Sequence, residues 1–547
     1  MSPKFPKPHL KFPKILLLFL CISQIVASGF AFELDESLTY IWPLPAEFSS
    51  GNETLSVDPS IALTVSGDGG NSVIVSEAFD RYKRVIFKRA SGFSIFGKFR
   101  GRGSVYDISK LTVIVHSESE ELQLGVDESY SLTVAKRDAQ SIVWEATIEA
   151  NTVYGALRGL ETFCQLCAFD YGTKSVQIYK APWYIQDKPR FAYRGLLLDT
   201  SRHYLPTEVI KQIIESMSYA KLNVLHWHII DEQSFPLEVP TYPNLWKGAY
   251  SKWERYTVED AQEVVSFAKM RGINVMAEVD VPGHAESWGA GYPDLWPSSS
   301  CREPLDVSKN FTFDVISGIL ADIRKIFPFE LFHLGGDEVN TDCWSSTPHV
   351  KKWLGDHSMT TKDAYQYFVL RAQEIAISQN WTPVNWEETF NNFAANLNPR
   401  TVVHNWLGPG VCPKVVANGF RCIFSNQGVW YLDHLDVPWD EVYTAEPLEG
   451  INDVSKQELV LGGQVCMWGE TADTSAVQQT IWPRAAAAAE RLWSQREAIS
   501  TGNITLTALP RLHYFRCLLS RRGVQAAPVT NKYARRPPTG PGSCYEQ

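Results

Sequence analysis

Apolar residues in the second two-thirds of the chain form short continuous runs that alternate with amphipathic helical segments. The runs predict eight strands, at residues 195–198, 223–230, 273–279, 331–334, 383–386, 401–405, 422–425 and 460–467. Helical spacing follows the first run, from Ile210 to Met217, and Thr257 and Asp260 form a capping box before the next helix. Eight strand–helix units in about 330 residues indicate a (β/α)8 TIM barrel. A doubly wound open sheet is the alternative, but no glycine fingerprint for a nucleotide accompanies the runs.

The part of the chain ahead of the barrel has a different pattern. Residues 111–115 and 141–144 are strand-like, and residues 151–167 have helical spacing. We therefore predict an α/β protein with a smaller α+β domain at residues 31–185 and a barrel domain at residues 190–547.

The N-terminus has the layout of a secretory signal peptide, predicted to span residues 1–30. Four lysines precede an apolar core at residues 15–26, and small residues follow at 27–29. The core is too short to span a bilayer comfortably, and no later run is long enough, so we expect no integral membrane segment after signal removal. Four glycosylation sequons agree with a secretory route, at Asn52, Asn310, Asn380 and Asn503.

Composition narrows the function classes further. The 547 residues are 44% hydrophobic and carry a formal net charge of -10, which argues against nucleic-acid binding. Ten cysteines include Cys21 in the signal, which leaves an odd number, so at least one thiol should be unpaired. No cysteine spacing indicates a zinc site, and we interpret Cys164-x-x-Cys167 as structural.

The most informative stretch of the sequence is the run from Leu331 to Val339. A short apolar strand ends in Gly335 and Gly336 and then presents Asp337 and Glu338. Glycines permit the strand to break into a loop, which is needed for adjacent side chains to face one pocket. Because two close carboxyl groups resist ionising together, we expect their pKa values to separate, so that one can donate a proton.

Polar and aromatic residues follow every predicted strand. They are Asp199, Arg202 and His203; Asp231 and Glu232; Asp280 and His284; Asp337 and Glu338; Trp386 and Glu387; Trp406; Tyr431 and Asp433; and Trp468 and Glu470. In a barrel these positions converge at the C-terminal ends of the strands. Tryptophan faces pack on sugar rings and carboxylates bind hydroxyl groups, so the set predicts carbohydrate chemistry.

His226-Trp-His228 supports a second hypothesis. On one strand face, these histidines could bind a metal together with Asp231, His284 or His333, as in a metal-dependent barrel amidohydrolase. We favour the interpretation that they are packed, hydrogen-bonded groups below the pocket. The prediction is therefore an enzyme with no metal and no cofactor.

The motifs resemble those of glycoside hydrolase family 20, the β-N-acetylhexosaminidases of plant and lysosomal type. The resemblance rests on RGLLLDTSRHYLP, KLNVLHWHIIDEQSFP, AEVDVPGHAESWG, HLGGDEVNTDCW, GGQVCMWGE and WPRAAAAAERLW. It extends from about residue 190 to 544. It implies a retaining exo-β-N-acetylhexosaminidase that removes terminal GlcNAc or GalNAc from N-glycans or chito-oligosaccharides; an inactive sugar-binding paralogue is a further alternative.

The resemblance also implies a substrate-assisted mechanism, in which the acetamido oxygen of the sugar attacks its own C1. In that scheme Glu338 is the general acid and base, Asp337 orients the acetamido group, and Tyr431 donates to its carbonyl oxygen. The family implies the following substrate-binding residues: Arg202, Asp231, His284, Trp386, Trp406, Asp433, Trp468 and Glu470.

Further expectations follow from the same resemblance. It suggests the disulfides Cys301–Cys343 and Cys517–Cys544 and a homodimer. It leaves five cysteines unassigned: Cys164, Cys167, Cys412, Cys422 and Cys466. We expect a vacuolar, lysosome-like or extracellular location. One prediction goes beyond the resemblance: Asp433, followed by His434, indicates a preference for neutral over 6-sulfated sugars, because like charges repel.

Overall fold

The computed structural model describes residues 38–90, 106–136 and 144–530. The predicted signal peptide lies outside this range. A smaller N-terminal α/β domain contains a six-stranded sheet with strand order β1-β2-β4-β3-β6-β5. Its strands are β1 Glu47–Ser66, β2 Ile108–Val115, β3 Tyr130–Lys136, β4 Trp144–Ala150, β5 Cys167–Asp170 and β6 Ser175–Asp187. The helices Val73–Ile86 and Val153–Leu166 pack together in this domain, and the second matches the predicted helix.

The second domain is a closed barrel of eight parallel strands, which confirms the predicted TIM barrel. The strands are β7 Tyr193–Asp199, β8 Val224–Ile230, β9 Asn274–Val279, β10 Leu331–His333, β11 Thr382–Trp386, β12 Val402–Asn405, β13 Arg421–Phe424 and β14 Val460–Met467. Each of the eight predicted runs overlaps one strand. The runs are continuously apolar because helices cover the outer face of the barrel, so both faces are buried.

Helices and short turns connect the barrel strands. The α-helices are Thr207–Tyr219, Val258–Lys269, Asn310–Ile323, Asp342–Ser346, Pro348–Asp356, Thr361–Ser378, Glu387–Phe393, Val411–Ala417, Gln427–Trp430, Trp439–Thr444, Val454–Gln457, Val477–Ile481, Arg484–Trp493, Arg496–Ile499, Ile504–Thr507 and Leu509–Arg522. The 3-10 helices are Pro243–Gly248, Glu286–Ala290, Pro293–Leu295 and Ala394–Asn396. The predicted capping box is present, since Thr257 and Asp260 each bond the other's backbone N–H.

Buried ion pairs hold the N-terminal domain against the barrel. The Glu128 carboxylate accepts hydrogen bonds from Arg158 Nε at 2.8 Å and from Arg194 Nη2 at 2.7 Å. All three side chains are almost fully buried. Lys221 Nζ of the barrel lies 2.9 Å from Asp187 Oδ2 at the end of β6. These pairs tie β7 and the entry to β8 to the N-terminal domain.

Two disulfides are present among the described residues. Cys301–Cys343 was expected, whereas Cys412–Cys422 joins two cysteines that the sequence left unassigned. Cys517 is disulfide-bonded, but its expected partner Cys544 lies outside the described residues.

Two further observations concern the sequons and the helices. The four sequon asparagines are all exposed. In the part of the chain that the structure describes, every helix is too short or too polar to cross a bilayer.

Candidate active site

The backbone after β10 turns sharply and brings two acids to one cavity. Gly335 and Gly336 have φ of +61° and +97°, which only glycine adopts without strain, and Glu338 itself has φ +49°. Asp280 Oδ1 accepts the N–H of Gly336 at 2.8 Å, and a Cβ on Gly335 would overlap this carboxylate. The turn therefore lets Asp337 and Glu338 line the same cavity, as the sequence predicted.

The cavity has a volume of about 200 Å³ and opens at the C-terminal ends of the barrel strands. It is lined by Arg202, His228, Asp280, His284, Asp337, Glu338, Trp406, Gln427, Tyr431, Asp433, His434, Trp468 and Glu470. All predicted site residues except Asp231 and Trp386 are in this set. Those two lie directly behind it.

His284 lies between the two adjacent acids. Its Nε2 is 3.6 Å from both Asp337 Oδ2 and Glu338 Oε2, and its Nδ1 is 3.1 Å from Asp231 Oδ1. Burial opposes the imidazolium form, but Asp337 and Asp280 raise the pKa of His284 well above its usual value. A hydrogen bond to His284 in turn lowers the pKa of Glu338. The free site therefore holds its proton on His284, with Glu338 as an anion.

Asp280 brings a third carboxyl group close to the two predicted acids. Side-chain atoms of Asp280, His284 and Asp337 lie within 4.8 Å of one another. Burial and the charge of Asp337 raise the pKa of Asp280 well above its usual range. Asp280 therefore resists ionisation beside Asp337. The separation expected between Asp337 and Glu338 stays a prediction; Glu338 is partly exposed and faces His284, while Asp280 is buried against a like charge.

Arg202 is held rigidly by acids below the cavity. Its Nη1 lies 2.9 Å from Asp199 Oδ2, and its Nη2 lies 2.8 Å from Asp231 Oδ2. The guanidinium packs over Trp468 at 5.2 Å from the ring centroid. Glu470 Oε1 is 3.7 Å from Nη1 and more than half exposed, so it remains accessible to a ligand.

Aromatic side chains form one wall. Trp406 and Tyr431 are nearly parallel, with an interplanar angle of 13° and centroids 6.3 Å apart, and Tyr431 lies 6.0 Å from Trp468. Trp386 was expected in this wall but is only 1% exposed. It packs behind Trp468 and donates from Nε1 to Glu278 at 3.0 Å. Trp386 therefore supports the wall from behind.

Asp433 provides an unusual carboxyl group at the rim. Its Oδ1 is buried and makes no hydrogen bond among the described residues, while Oδ2 lies 3.8 Å from His434 Nε2. Burial raises the pKa of Asp433 to about 6, and the charge of Glu470 acts in the same direction. The Asp433 carboxyl group therefore changes from neutral to anionic as the pH rises through the mildly acidic range.

The histidines of the alternative metal hypothesis are engaged with protein groups. His228 bridges Glu278 Oε2 at 2.5 Å and Asp231 Oδ2 at 2.7 Å. His226, His333 and His404 have nitrogen atoms within 4.8 Å of one another, but His404 Nδ1 already faces His333 at 3.1 Å and its Nε2 faces Ser425 Oγ at 2.9 Å. These contacts support the packed interpretation.

Two residues of the site were not predicted. Gln427 lines the cavity, and Glu278 lies fully buried beneath it. Asp280 was named among the residues that follow predicted strands, and His228 was expected below the pocket, but neither was assigned a role in the reaction. Glu278 is one residue inside β9, among apolar neighbours, and only the structure reveals its histidine partners.

An adjacent carboxylate pair, a clamped arginine and a tryptophan wall at this end of a TIM barrel define the molecule as a glycoside hydrolase. The description "Glycosyl hydrolase family 20, catalytic domain" matches residues 191–496, and "beta-acetyl hexosaminidase like" matches residues 41–166. The chain belongs to glycosyl hydrolase family 20.

Relatives with known names agree. The chain is 76% identical over 536 residues to Beta-hexosaminidase 1 of Arabidopsis thaliana, covering 98% of this chain and 99% of that protein. It is 35% identical to Beta-hexosaminidase subunit beta of Homo sapiens, covering 90% and 89% of the two chains. Among solved structures, a Flavobacterium johnsoniae chitobiase aligns with a TM-score of 0.77 and 28% identity over 90% of this chain and 74% of that one. The chain is accordingly a glycosidase of the β-N-acetylhexosaminidase type.

Proposed function

We propose that the enzyme removes terminal, non-reducing GlcNAc or GalNAc with retention, using the substrate's acetamido oxygen as the nucleophile. The observation that carries this proposal is that Asp337 and Glu338 are adjacent in sequence and line one cavity of about 200 Å³ with Tyr431. Neither carboxylate then has to attack C1. One can hold the acetamido group while the other serves the leaving oxygen.

In the first step the acetamido oxygen bonds to C1 as the glycosidic bond breaks, and Glu338 gives its proton to the leaving oxygen. In the second step Glu338 takes a proton from water as the water oxygen bonds to C1, and the bond between C1 and the acetamido oxygen of the oxazoline-like intermediate breaks. Asp337 accepts the acetamido N–H and stabilises the positive charge, and the Tyr431 hydroxyl donates to the carbonyl oxygen. Burial raises the pKa of Tyr431 well above its usual value, so the donor stays protonated.

Glu338 must be protonated for the first step, although His284 lowers its pKa in the free enzyme. Its side chain is 60% exposed before substrate binds. A bound sugar displaces this water, and desolvation favours the neutral carboxyl group. Substrate binding thereby shifts the proton toward the leaving oxygen.

The remaining site residues hold the sugar. Arg202 and Glu470 bind outer hydroxyl groups, Asp433 lies near the 6-position, and Trp406 and Trp468 wall the acetamido group and ring. Asp231 and His284 position Glu338 from below, and Trp386 supports the wall. Cofactors are not required by this scheme.

Fluorination of the substrate's acetamido group tests the nucleophile directly. On 4-nitrophenyl β-GlcNAc carrying mono-, di- and trifluoroacetamido groups, kcat/KM should fall steadily, because fluorine withdraws electrons from the attacking oxygen. A flat series would exclude the acetamido group as nucleophile.

Two simpler assays address the alternatives. Turnover that persists in the presence of EDTA would exclude a metal-dependent mechanism. Sugar binding without turnover would indicate an inactive paralogue.

Location and assembly form part of the same proposal. The two disulfides and the exposed sequons support passage through the secretory pathway after removal of residues 1–30, to a vacuole, a lysosome-like compartment or the extracellular space. We infer glycan substrates, N-glycans or chito-oligosaccharides, and a homodimer. Product profiles on biantennary N-glycans and chitin trimers distinguish the two substrate groups.

A further inference from the structure

A second cavity, of about 430 Å³, shares no lining residue with the candidate active site. It lies where the N-terminal domain meets the C-terminal part of the helix Thr207–Tyr219, near the N-terminal ends of the barrel strands. We call it the basic cavity, because six of its lining residues are basic: Arg81, Arg84, Lys88, Arg89, Arg521 and Arg522. Glu215 is the acidic residue among its described lining residues.

The floor of the basic cavity consists of buried arginines fixed by carboxylates. Arg522 is 4% exposed at its side chain and holds both oxygens of Glu161, at 2.8 and 2.9 Å. Arg81 Nε lies 3.3 Å from Glu215 Oε1, but Glu215 also pairs with Arg271 at 2.5 Å. The floor is therefore rigid, and one carboxylate there serves two arginines.

Three arginines at the rim have no acidic partner among the described residues. Arg84, Arg89 and Arg521 are exposed, and each makes no ion pair with a described residue. Arg89 instead lies over Tyr171 at 5.1 Å, and Arg521 over Tyr514 at 5.9 Å. These ring contacts restrain two guanidinium groups while leaving their N–H donors available.

Helix ends explain part of this arrangement. The helices Val73–Ile86 and Leu509–Arg522 both have basic residues in their last turns, where the helix dipole favours cations. The C-terminal end of each helix carries about half a negative elementary charge. Two such ends together offset roughly one of the excess positive charges. Burial raises the pKa of Cys164 to about 12, so this wall thiol adds no negative charge at neutral pH. A net positive cavity remains on a chain whose formal net charge is -10.

We propose that the basic cavity binds a small molecule carrying two or more phosphate or sulfate groups. Guanidinium groups bind such oxyanions through paired N–H donors, and several cations with few carboxylates favour a multiply charged ligand over a single carboxylate. The cavity is larger than one phosphate group requires, and Val85, Phe169 and Leu518 offer apolar surface to the body of the ligand. The site is separate from the sugar-binding cavity and independent of the hexosaminidase mechanism.

Isothermal titration of the full-length enzyme with pyrophosphate and with inositol hexakisphosphate tests this proposal. Inorganic phosphate serves as the single-group comparison. We expect saturable binding at 20 mM NaCl, with at least tenfold weaker affinity at 200 mM NaCl because exposed charges are screened. Inorganic phosphate should bind more weakly than either multivalent probe. The melting temperature should rise with probe concentration, since a ligand of the native state stabilises it.

Matched variants distinguish a site from general attraction to arginine and lysine. The triple variant Arg84→Gln/Arg89→Gln/Arg521→Gln removes three rim cations, and its affinity should fall at least tenfold. Lys351→Gln/Lys362→Gln/Lys414→Gln removes the same charge from exposed positions elsewhere and should bind like the parent. Both variants should keep the parent's kcat on an aryl substrate, which establishes that each is folded.

Equal affinity of the two variants would overturn the proposal, because binding would then follow net charge alone. So would a lack of saturable binding of both multivalent probes to the parent at low salt. A folded rim variant that loses binding, next to a control that retains it, supports the site.

Discussion

His228 donates from Nδ1 to Glu278 Oε2 at 2.5 Å and thereby connects the centre of the barrel to the candidate active site. The Nε2 of His228 donates to Asp231 at 2.7 Å, and Asp231 contacts both Arg202 and His284. Burial opposes protonation, yet Glu278 and Asp231 raise the pKa of His228 to about 10. A buried imidazolium therefore holds Asp231 in place, and Glu278 holds the imidazolium.

Glu278→Gln should weaken this connection without touching the substrate. The amide keeps the size of the side chain but removes the charge, so the pKa of His228 should fall and Asp231 should hold Arg202 and His284 less firmly. We expect kcat/KM to drop by about 10- to 100-fold, as for other groups that orient a site from behind. The chemical shifts of the His228 ring nitrogens, followed against pH by NMR, report the pKa directly.

Glu490→Gln is the matched control for that variant. Glu490 is also fully buried in the barrel domain, where Arg511 pairs with it at 2.7 Å. The Glu490→Gln variant should have a lower free energy of unfolding than the parent but the same pH dependence of kcat/KM. An unchanged His228 pKa in Glu278→Gln would show that Glu278 has only a packing role.

Glu338→Gln tests the general acid. Because a good leaving group needs little protonation, we expect a modest loss on aryl substrates with acidic phenols and a loss of about 10³-fold or more on chitobiose. A plot of log kcat/KM against leaving-group pKa should become steeper than for the parent. Glu470→Gln, which removes a proposed hydroxyl contact instead, should lower all members of the series equally. Parallel plots for the two variants would contradict the acid role.

The sequence predicted the barrel well because each strand is a separate apolar run with polar or aromatic residues after it. Asp337 and Glu338 were found in the same way, since Gly335 and Gly336 mark the break in the strand. Pair interactions across the barrel were not predictable. The contact of Asp280 with Asp337 joins the ends of two strands, and no spacing along the chain encodes it.

The surroundings of Trp386 were equally hidden from the sequence. Trp386 ends β11 as predicted, but Glu278 on β9 accepts its Nε1–H and His404 stacks on its ring at 4.3 Å. These partners draw the indole into the barrel. A position in the sequence determines which end of the strand a residue occupies, but the neighbouring strands determine which side chains reach the cavity.

Asp433 should make selectivity against 6-sulfated sugar depend on pH. With a pKa of about 6, its carboxyl group is neutral well below that pH and anionic above it. Repulsion of a sulfate therefore grows as the pH rises from 5 to 7. We expect the ratio of kcat/KM for unsulfated over 6-sulfated aryl β-GlcNAc to increase roughly tenfold over this range, at low ionic strength.

Asp433→Asn provides the comparison for that experiment. It should reduce the ratio and make it nearly constant with pH, while Glu470 retains some repulsion. Comparable kcat/KM on the two substrates in the parent enzyme at pH 7 would refute the proposed role of Asp433. A ratio that changes with pH equally in parent and variant would assign the titration to another group.

Glu128 should control how acid separates the N-terminal domain from the barrel. Burial opposes its ionisation, but Arg194 and Arg158 lower its pKa below the usual value. A carboxyl group with a depressed pKa contributes stability that is present above its unfolded-state pKa and is lost as the pH falls through its folded-state pKa. Glu128→Gln leaves two buried arginines without their anion, so the free energy of unfolding at pH 7 should fall by about 3–5 kcal/mol. The deficit should shrink below pH 4, where the parent loses the same contribution.

Urea unfolding at pH 7 and pH 3.5 measures this deficit in the free energy of unfolding. The control variant Glu149→Gln breaks an exposed pair with His116 and should cost less than about 1 kcal/mol at either pH. A deficit of equal size at both pH values would mean that Glu128 acts through hydrogen bonding alone, with no contribution from its charge.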